Sequence, residues 1–110
     1  MTPIRPTLPK PPRHLAAAGR ALFRDLVREY EITDAGGLVL LTTASECADR
    51  MSAARLAIAQ HGEVTTDRYG QAKVHPACQL EKDARSQLLQ AIKLLGLDVD
   101  PDTFKKGSRR

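Results

Sequence analysis

Three side chains of this 110-residue sequence have the types that a metal or nucleophilic site needs: His61, His75 and Cys78. Imidazole nitrogens and thiolates are good zinc ligands, but zinc sites bring them in closely spaced pairs. Here His75 stands directly before Pro76 and reads as the turn leading into a helix, while Cys78 reads as a small core residue. The sequence has no glycine-rich phosphate loop and sets no nucleophile beside a base. Asp49-Arg50 and Glu81-Lys82-Asp83 read as charge clusters on helix surfaces. The expectation is a protein with no catalytic residues, no metal and no cofactor.

The chemistry left open is polyanion binding. Residues 1–13 carry Arg5, Lys10 and Arg13 with no acid, a local charge of +3. Residues 105–110 carry Lys105, Lys106, Arg109 and Arg110, also without an acid, giving +4. The whole chain carries +4, so residues 14–104 hold the balance of −3. A mildly acidic body between two basic segments suits a protein that grips phosphates by its tails, where counterion release supplies affinity without sequence reading. Arg20, Arg24 and Arg28 recur at four-residue steps and share a helix face, which makes them further candidates for phosphate contact. Both sets also fit a plainly solvated surface, and charge alone does not choose.

These groups must be positioned by helices. Pro3, Pro6, Pro9, Pro11 and Pro12 make residues 1–13 a flexible arm. From about His14 to Tyr30, Leu15, Leu22, Phe23, Leu26, Val27 and Tyr30 fall at helical spacing. Thr33-Asp34 signals a helix start, and a proline-free run follows to Gly62, which is placed to end it. On this run Leu38, Leu41, Ala44, Ala48, Met51, Ala54 and Ile58 form one stripe. Residues 63–74 change character and read as a short β-hairpin or extended excursion that should pack on the helices or on another subunit. Pro76 then opens a helix whose stripe is Ala77, Leu80, Ala84, Leu88, Ala91 and Leu95, widened by Leu89 and Ile92 and ended by Gly96. Basic residues 102–110 form a tail. The fold class expected is mainly α: an elongated helical hairpin plus a further helix, a short β-hairpin insertion, and flexible arms around a core at 14–101.

Composition explains the elongation. The chain is 42% apolar and 27% charged, with 15 Ala and 14 Leu but only Phe23, Tyr30, Tyr69 and Phe104 as aromatics. Small side chains make thin helices that pack closely. The central helix, ~40 Å long at 1.5 Å per residue, far exceeds the ~13 Å radius of gyration of a compact 100-residue globule. Such a shape leaves apolar flank uncovered and predicts self-association, with Leu38, Leu41, Ala48, Met51, Ile58, Val64 and Tyr69 as candidate contacts. No apolar stretch reaches the ~18 residues of a membrane span, no signal-peptide core is evident, and Cys47 and Cys78 give no disulfide framework. The expected compartment is a reducing cytoplasm.

The order of these features resembles a known family. PPRHLAAAGRALFRDLVREYEIT, then ECADRMSAARLAIAQHGEV, YGQAKVHPA and ARSQLLQAIKLLGLDVDP are similar to the phage terminase small subunits of the kind typified by phage P27. The resemblance covers about residues 11–101. Its most specific pieces are the G-x-V after the long helix, the HPA before the next, and the LGL with its acidic, proline-containing ending. Two positions differ from the usual pattern: Phe23 stands where many members carry tryptophan, and the proline after LGL comes later, at Pro101. The resemblance implies a helical, ring-forming, non-catalytic subunit in the host bacterial cytoplasm. Such a subunit recognises the packaging start site on double-stranded viral DNA and passes it to the terminase large subunit. Two other classes remain beside it. A helix-turn-helix regulator predicts two short helices joined by a tight turn, and a helical scaffold predicts no DNA affinity.

Overall fold

The computed structural model describes residues 8–97 and consists of three helices and one β-ribbon. The elements run α1 (Ala17–Tyr30), α2 (Ala35–His61), β1 (Val64–Thr66), β2 (Ala72–Val74) and α3 (Pro76–Leu95). The mainly helical class with a β-hairpin insertion is therefore what the chain adopts. The molecule is elongated, with principal extents of 73 × 27 × 26 Å. No helix among the described residues is long and apolar enough to cross a membrane.

Each helix begins and ends where local chemistry dictates. Asp34 caps α2 by accepting a hydrogen bond from the Gly37 amide at 2.8 Å. Before it, Glu31 closes α1 in the left-handed conformation, φ 52°, with its amide bonded to Val27 O. For a non-glycine residue that conformation costs about 1–2 kcal/mol. The buried side chain of Ile32 follows immediately and holds the turn against the core. Gly96 ends α3 at φ 75°, a backbone angle that favours a residue without Cβ. His75 caps α3: its Nδ1 accepts from the Ala77 amide at 2.9 Å, and Pro76 takes the first helical position, where no amide donor is needed.

The core is narrow. Helices α2 and α3 form the long hairpin, running antiparallel as the Arg55–Glu81 and Cys47–Gln87 pairs require. Because α1 packs on α2 as well, the buried set of α2 is wider than one stripe: Ser45 and Cys47 join Leu41, Ala44, Ala48, Met51 and Ala54. Opposite them lie Phe23, Leu26 and Val27 of α1 and Ala84, Leu88, Ala91 and Ile92 of α3. Burying each of the large side chains contributes about 1.5–3 kcal/mol. The predicted α3 stripe is right except at Leu80, which is 62% exposed. It lies at the open edge of the α2–α3 pair, beside the buried Ala77 and Ala84.

The association stripe expected on α2 needs correction. Leu41, Ala48 and Met51 are buried against α1 and α3 of the same chain, so they offer no surface to a second one. Leu38 is half-buried against the same core and Ile58 is half-buried near the end of α2. The physical reason is that α1 covers the flank of α2, which helix length alone does not reveal. Val64 and Tyr69 do remain exposed.

Candidate nucleic-acid interface

The start of α1 is built from outside the helix. Ala16 stands at its N-cap and has no side chain able to accept a hydrogen bond. Asp49, from the middle of α2, supplies the missing acceptor. Its carboxylate takes the Ala16 amide at 2.7 Å and the Gly19 amide at 2.6 Å. A carboxylate here also meets the positive end of the helix dipole. Gly19 makes this approach possible, since a Cβ at that position would lie 2.5 Å from Ser45 O. Ser45 keeps the neighbouring volume small, and its buried hydroxyl has no hydrogen-bond partner among the described residues. His14 adds a hydrogen bond between its Nε2 and Glu46 Oε2 at 2.7 Å on the same side.

This joint recruits one of the predicted DNA contacts. The Arg20 guanidinium reaches back to donate to Leu15 O at 3.0 Å and Arg13 O at 3.2 Å. It clamps the incoming chain to α1, a structural role that its place in the arginine row does not reveal. Arg24 and Arg28 lie exposed further along the helix, with Arg28 3.7 Å from Asp25. Lys10 and Arg13 are exposed on the segment leading into α1. Asp25, Glu29 and Glu31 interleave with the arginines, so α1 carries a mixed surface rather than a stripe of one sign. Arg5, Lys105, Lys106, Arg109 and Arg110 lie outside the described residues.

At the far end of the molecule, beyond the last turn of α2, the ribbon pairs Val64 with Val74, Thr65 with Lys73 and Thr66 with Ala72. Neither strand packs extensively on a helix, so of the two supports expected for it, the helices or another subunit, the first is not what the chain provides. Its stem is tied to the start of α3, where Glu63 O accepts from the His75 amide at 2.8 Å and from Cys78 Sγ at 3.8 Å. Its tip is ordered by Asp67, whose Oδ1 accepts from the amides of Tyr69 and Gln71, both at 2.9 Å. Tyr69 is 75% exposed, and the Arg68 guanidinium lies over its ring, 5.3 Å from the centroid.

The residues first suspected of metal chemistry are near one another but otherwise engaged. His61 stacks on His75 with centroids 5.7 Å apart and rings inclined by 15°. The Nδ1 of His75 is occupied by the α3 cap, and Cys78 points to a backbone carbonyl. Among the described residues, no group of three or more His, Cys, Asp or Glu is arranged to hold a metal ion. Cys78 is half-buried rather than the core residue expected. Cys47 is the buried one, with its sulfur 3.2 Å from the Arg50 guanidinium and 3.7 Å from Gln87 Oε1. Burial pushes its thiol up from the ordinary value, and Arg50 opposes that shift. Fewer thiolates form at a given pH, so a disulfide reagent at mildly alkaline pH should modify Cys78 rapidly and Cys47 slowly. Equal rates at both would show that α2 and α3 open freely around Cys47.

Two features here escape the sequence. Glu81, a surface charge by sequence, is only 12% exposed and accepts from Arg55 Nε at 3.0 Å, with Arg85 of its own helix 3.8 Å away. This pairing links α2 to α3 and fixes their register. On the open side of the same helix pair runs a groove of about 550 Å³, floored by the buried Ala54, Ala77 and Ala84, with Ala53, Pro76 and Leu80 along its rim beside Arg50 and Asp83. Comparison with profiles of known protein families, with curated proteins and with solved structures finds no match to this chain. Its class is thus set by its own architecture: an elongated α2–α3 hairpin, braced by α1 and ending in an exposed β-ribbon.

Proposed function

We propose that this chain is a non-catalytic, self-associating DNA-binding adaptor of the phage terminase small-subunit kind. It recognises the packaging start on viral DNA and delivers the duplex to the large terminase subunit. The observation that carries the DNA-binding part is the partition of charge, +3 over residues 1–13 and +4 over 105–110 around a body of −3. The packaging role comes with the family resemblance. That likeness is supported by where its most specific pieces fall. Gly62-Glu63-Val64 ends α2 and opens β1, His75-Pro76-Ala77 starts α3, and Leu95-Gly96-Leu97 ends it. In a multi-subunit assembly each weak basic segment is repeated, and effective concentration turns weak contacts into firm ones. With Leu41, Ala48 and Met51 inside the protomer, association falls to the exposed apolar residues Val64, Val74, Leu56 and Leu80.

The regulator alternative gains a four-residue turn, residues 31–34, between α1 and α2. Against it, the exposed positions that α2 would insert first, Ala35, Gly36 and Val39, cannot read base edges by hydrogen bonds. The test is a salt series of duplex binding together with the native mass. Deleting residues 105–110 should lower the slope of log K against log salt by up to about 0.9 for each phosphate that is no longer neutralised. An unchanged slope removes this segment from the interface. Absence of binding by the intact chain at moderate salt leaves the scaffold reading, and a clean dimer that prefers palindromic sites leaves the regulator.

A further inference from the structure

We propose that the β-ribbon is itself a duplex-DNA contact, placing Arg68, Tyr69 and Lys73 against a groove and its phosphates. The inference rests on the DNA-binding reading above and adds to it an element remote from both basic segments in sequence. An isolated two-stranded ribbon is marginal in water, and here Val64 and Val74 are both more than half exposed. The tip is nonetheless held in one shape, with the Asp67 amide bonded to Gln71 O at 2.9 Å and the Gly70 amide to Asp67 O at 3.0 Å. A preordered tip loses less entropy on binding than a loose loop.

Charge selects the partner. The only acid between Val64 and Val74 is Asp67, and its carboxylate is turned onto the tip's own amides. The cations Arg68 and Lys73 are exposed and form no ion pair among the described residues. Cross-strand pairing puts Thr65 and Lys73 on one face of the ribbon, and Val64, Thr66, Ala72 and Val74 on the other. The polar face and the tip together present two cations, a phenol and the Thr65 hydroxyl, the groups that bind phosphate oxygens. A two-stranded ribbon also fits the ~12 Å width of the major groove. A cationic guanidinium stacked on an exposed tyrosine suits a surface of phosphates and base edges better than an apolar protein face.

The experiment compares the full chain with its Arg68→Ala/Tyr69→Ala/Lys73→Ala variant, using a random-sequence duplex, a salt series and the native mass. The expected result is binding weakened by about tenfold or more and a salt slope smaller by up to about 1.8, the share of two phosphates, at unchanged helicity and native mass. A companion, Thr66→Ala, alters the opposite face without touching the association residues Val64 and Val74 and should keep the parental slope. If the parent binds DNA and the triple variant binds it equally well, the ribbon proposal falls and the adaptor reading stands. A triple variant that loses native mass but keeps its DNA slope makes the ribbon a self-association element, and this also overturns the proposal. So does a companion that loses the slope equally. If the parent itself does not bind duplex, the adaptor reading fails first.

Discussion

Gly19→Ala should destabilise the fold by about 1–3 kcal/mol, although alanine is the better helix former by roughly 1 kcal/mol. The added methyl would lie 2.5 Å from Ser45 O and 2.6 Å from Asp49 Oδ2. The first of these atoms is backbone of α2 and cannot rotate away. The second is held by the Ala16 amide, while the other oxygen of the same carboxylate accepts from the Gly19 amide. Accommodation therefore lifts α1 from α2 and breaks the cap in the same movement. Asp49→Ala alone should cost about 0.5–2 kcal/mol, the usual value of an N-cap. In the Gly19→Ala background it should cost much less, because the cap is already broken, and such non-additivity is expected of touching residues. Urea melts of the four proteins, followed by far-UV circular dichroism, give the coupling directly. Strict additivity, or a Gly19→Ala protein as stable as its parent, would refute the close approach of α1 to α2. Under the proposed DNA-binding function the consequence extends to duplex affinity, since α1 carries Arg24 and Arg28 and leads in from Lys10 and Arg13.

What is legible in the sequence is local. Asp34, Pro76, Gly62 and Gly96 act within a turn of their own positions, so residue type and spacing suffice to place three helices and the ribbon. What the sequence hides is tertiary. Asp49 looks like any exposed acid until α1, some thirty residues earlier, is laid across it. Glu81 reads as surface because its partner Arg55 lies on another helix. Arg20 belongs to a regular arginine row, yet it bonds the carbonyls of Arg13 and Leu15, and nothing in a four-residue period distinguishes it from Arg24 or Arg28. The stripe on α2 is apolar, as its spacing says, but it is not unpartnered. Periodicity reports that a face is buried, but the element that buries it has to be found in three dimensions. His75 is the intermediate case: a histidine directly before a helix-opening proline is a legible cap, and the cap explains its chemistry without a metal.

Leu80 and Leu88 separate these two kinds of knowledge, and their replacement by alanine should separate them by several kcal/mol. Both sit on the same predicted stripe of α3. Leu88 is fully buried, beside Ala18 and Leu22 of α1 and Ala48 and Met51 of α2, where all three helices meet. Truncating it removes transfer energy and leaves a cavity that neighbouring alanines are too small to fill, which costs about 2–5 kcal/mol. For a domain of this size that is on the order of 10–20 °C in Tm. Leu80 is 62% exposed on the rim of the open groove, so Leu80→Ala should change Tm by no more than about 2 °C, as surface substitutions do. Thermal melts at equal protein concentration test the pair, and a series in concentration extends it. If copies of the chain meet across Ala53, Ala57 and Leu80, then Leu80→Ala keeps the dilute protomer intact while reducing native mass at high concentration. Equal losses from both substitutions would mean that Leu80 is covered in solution even when dilute. The groove would then be closed within the basic folding unit, and the free protomer would not be the species in which the proposed DNA binding should be measured.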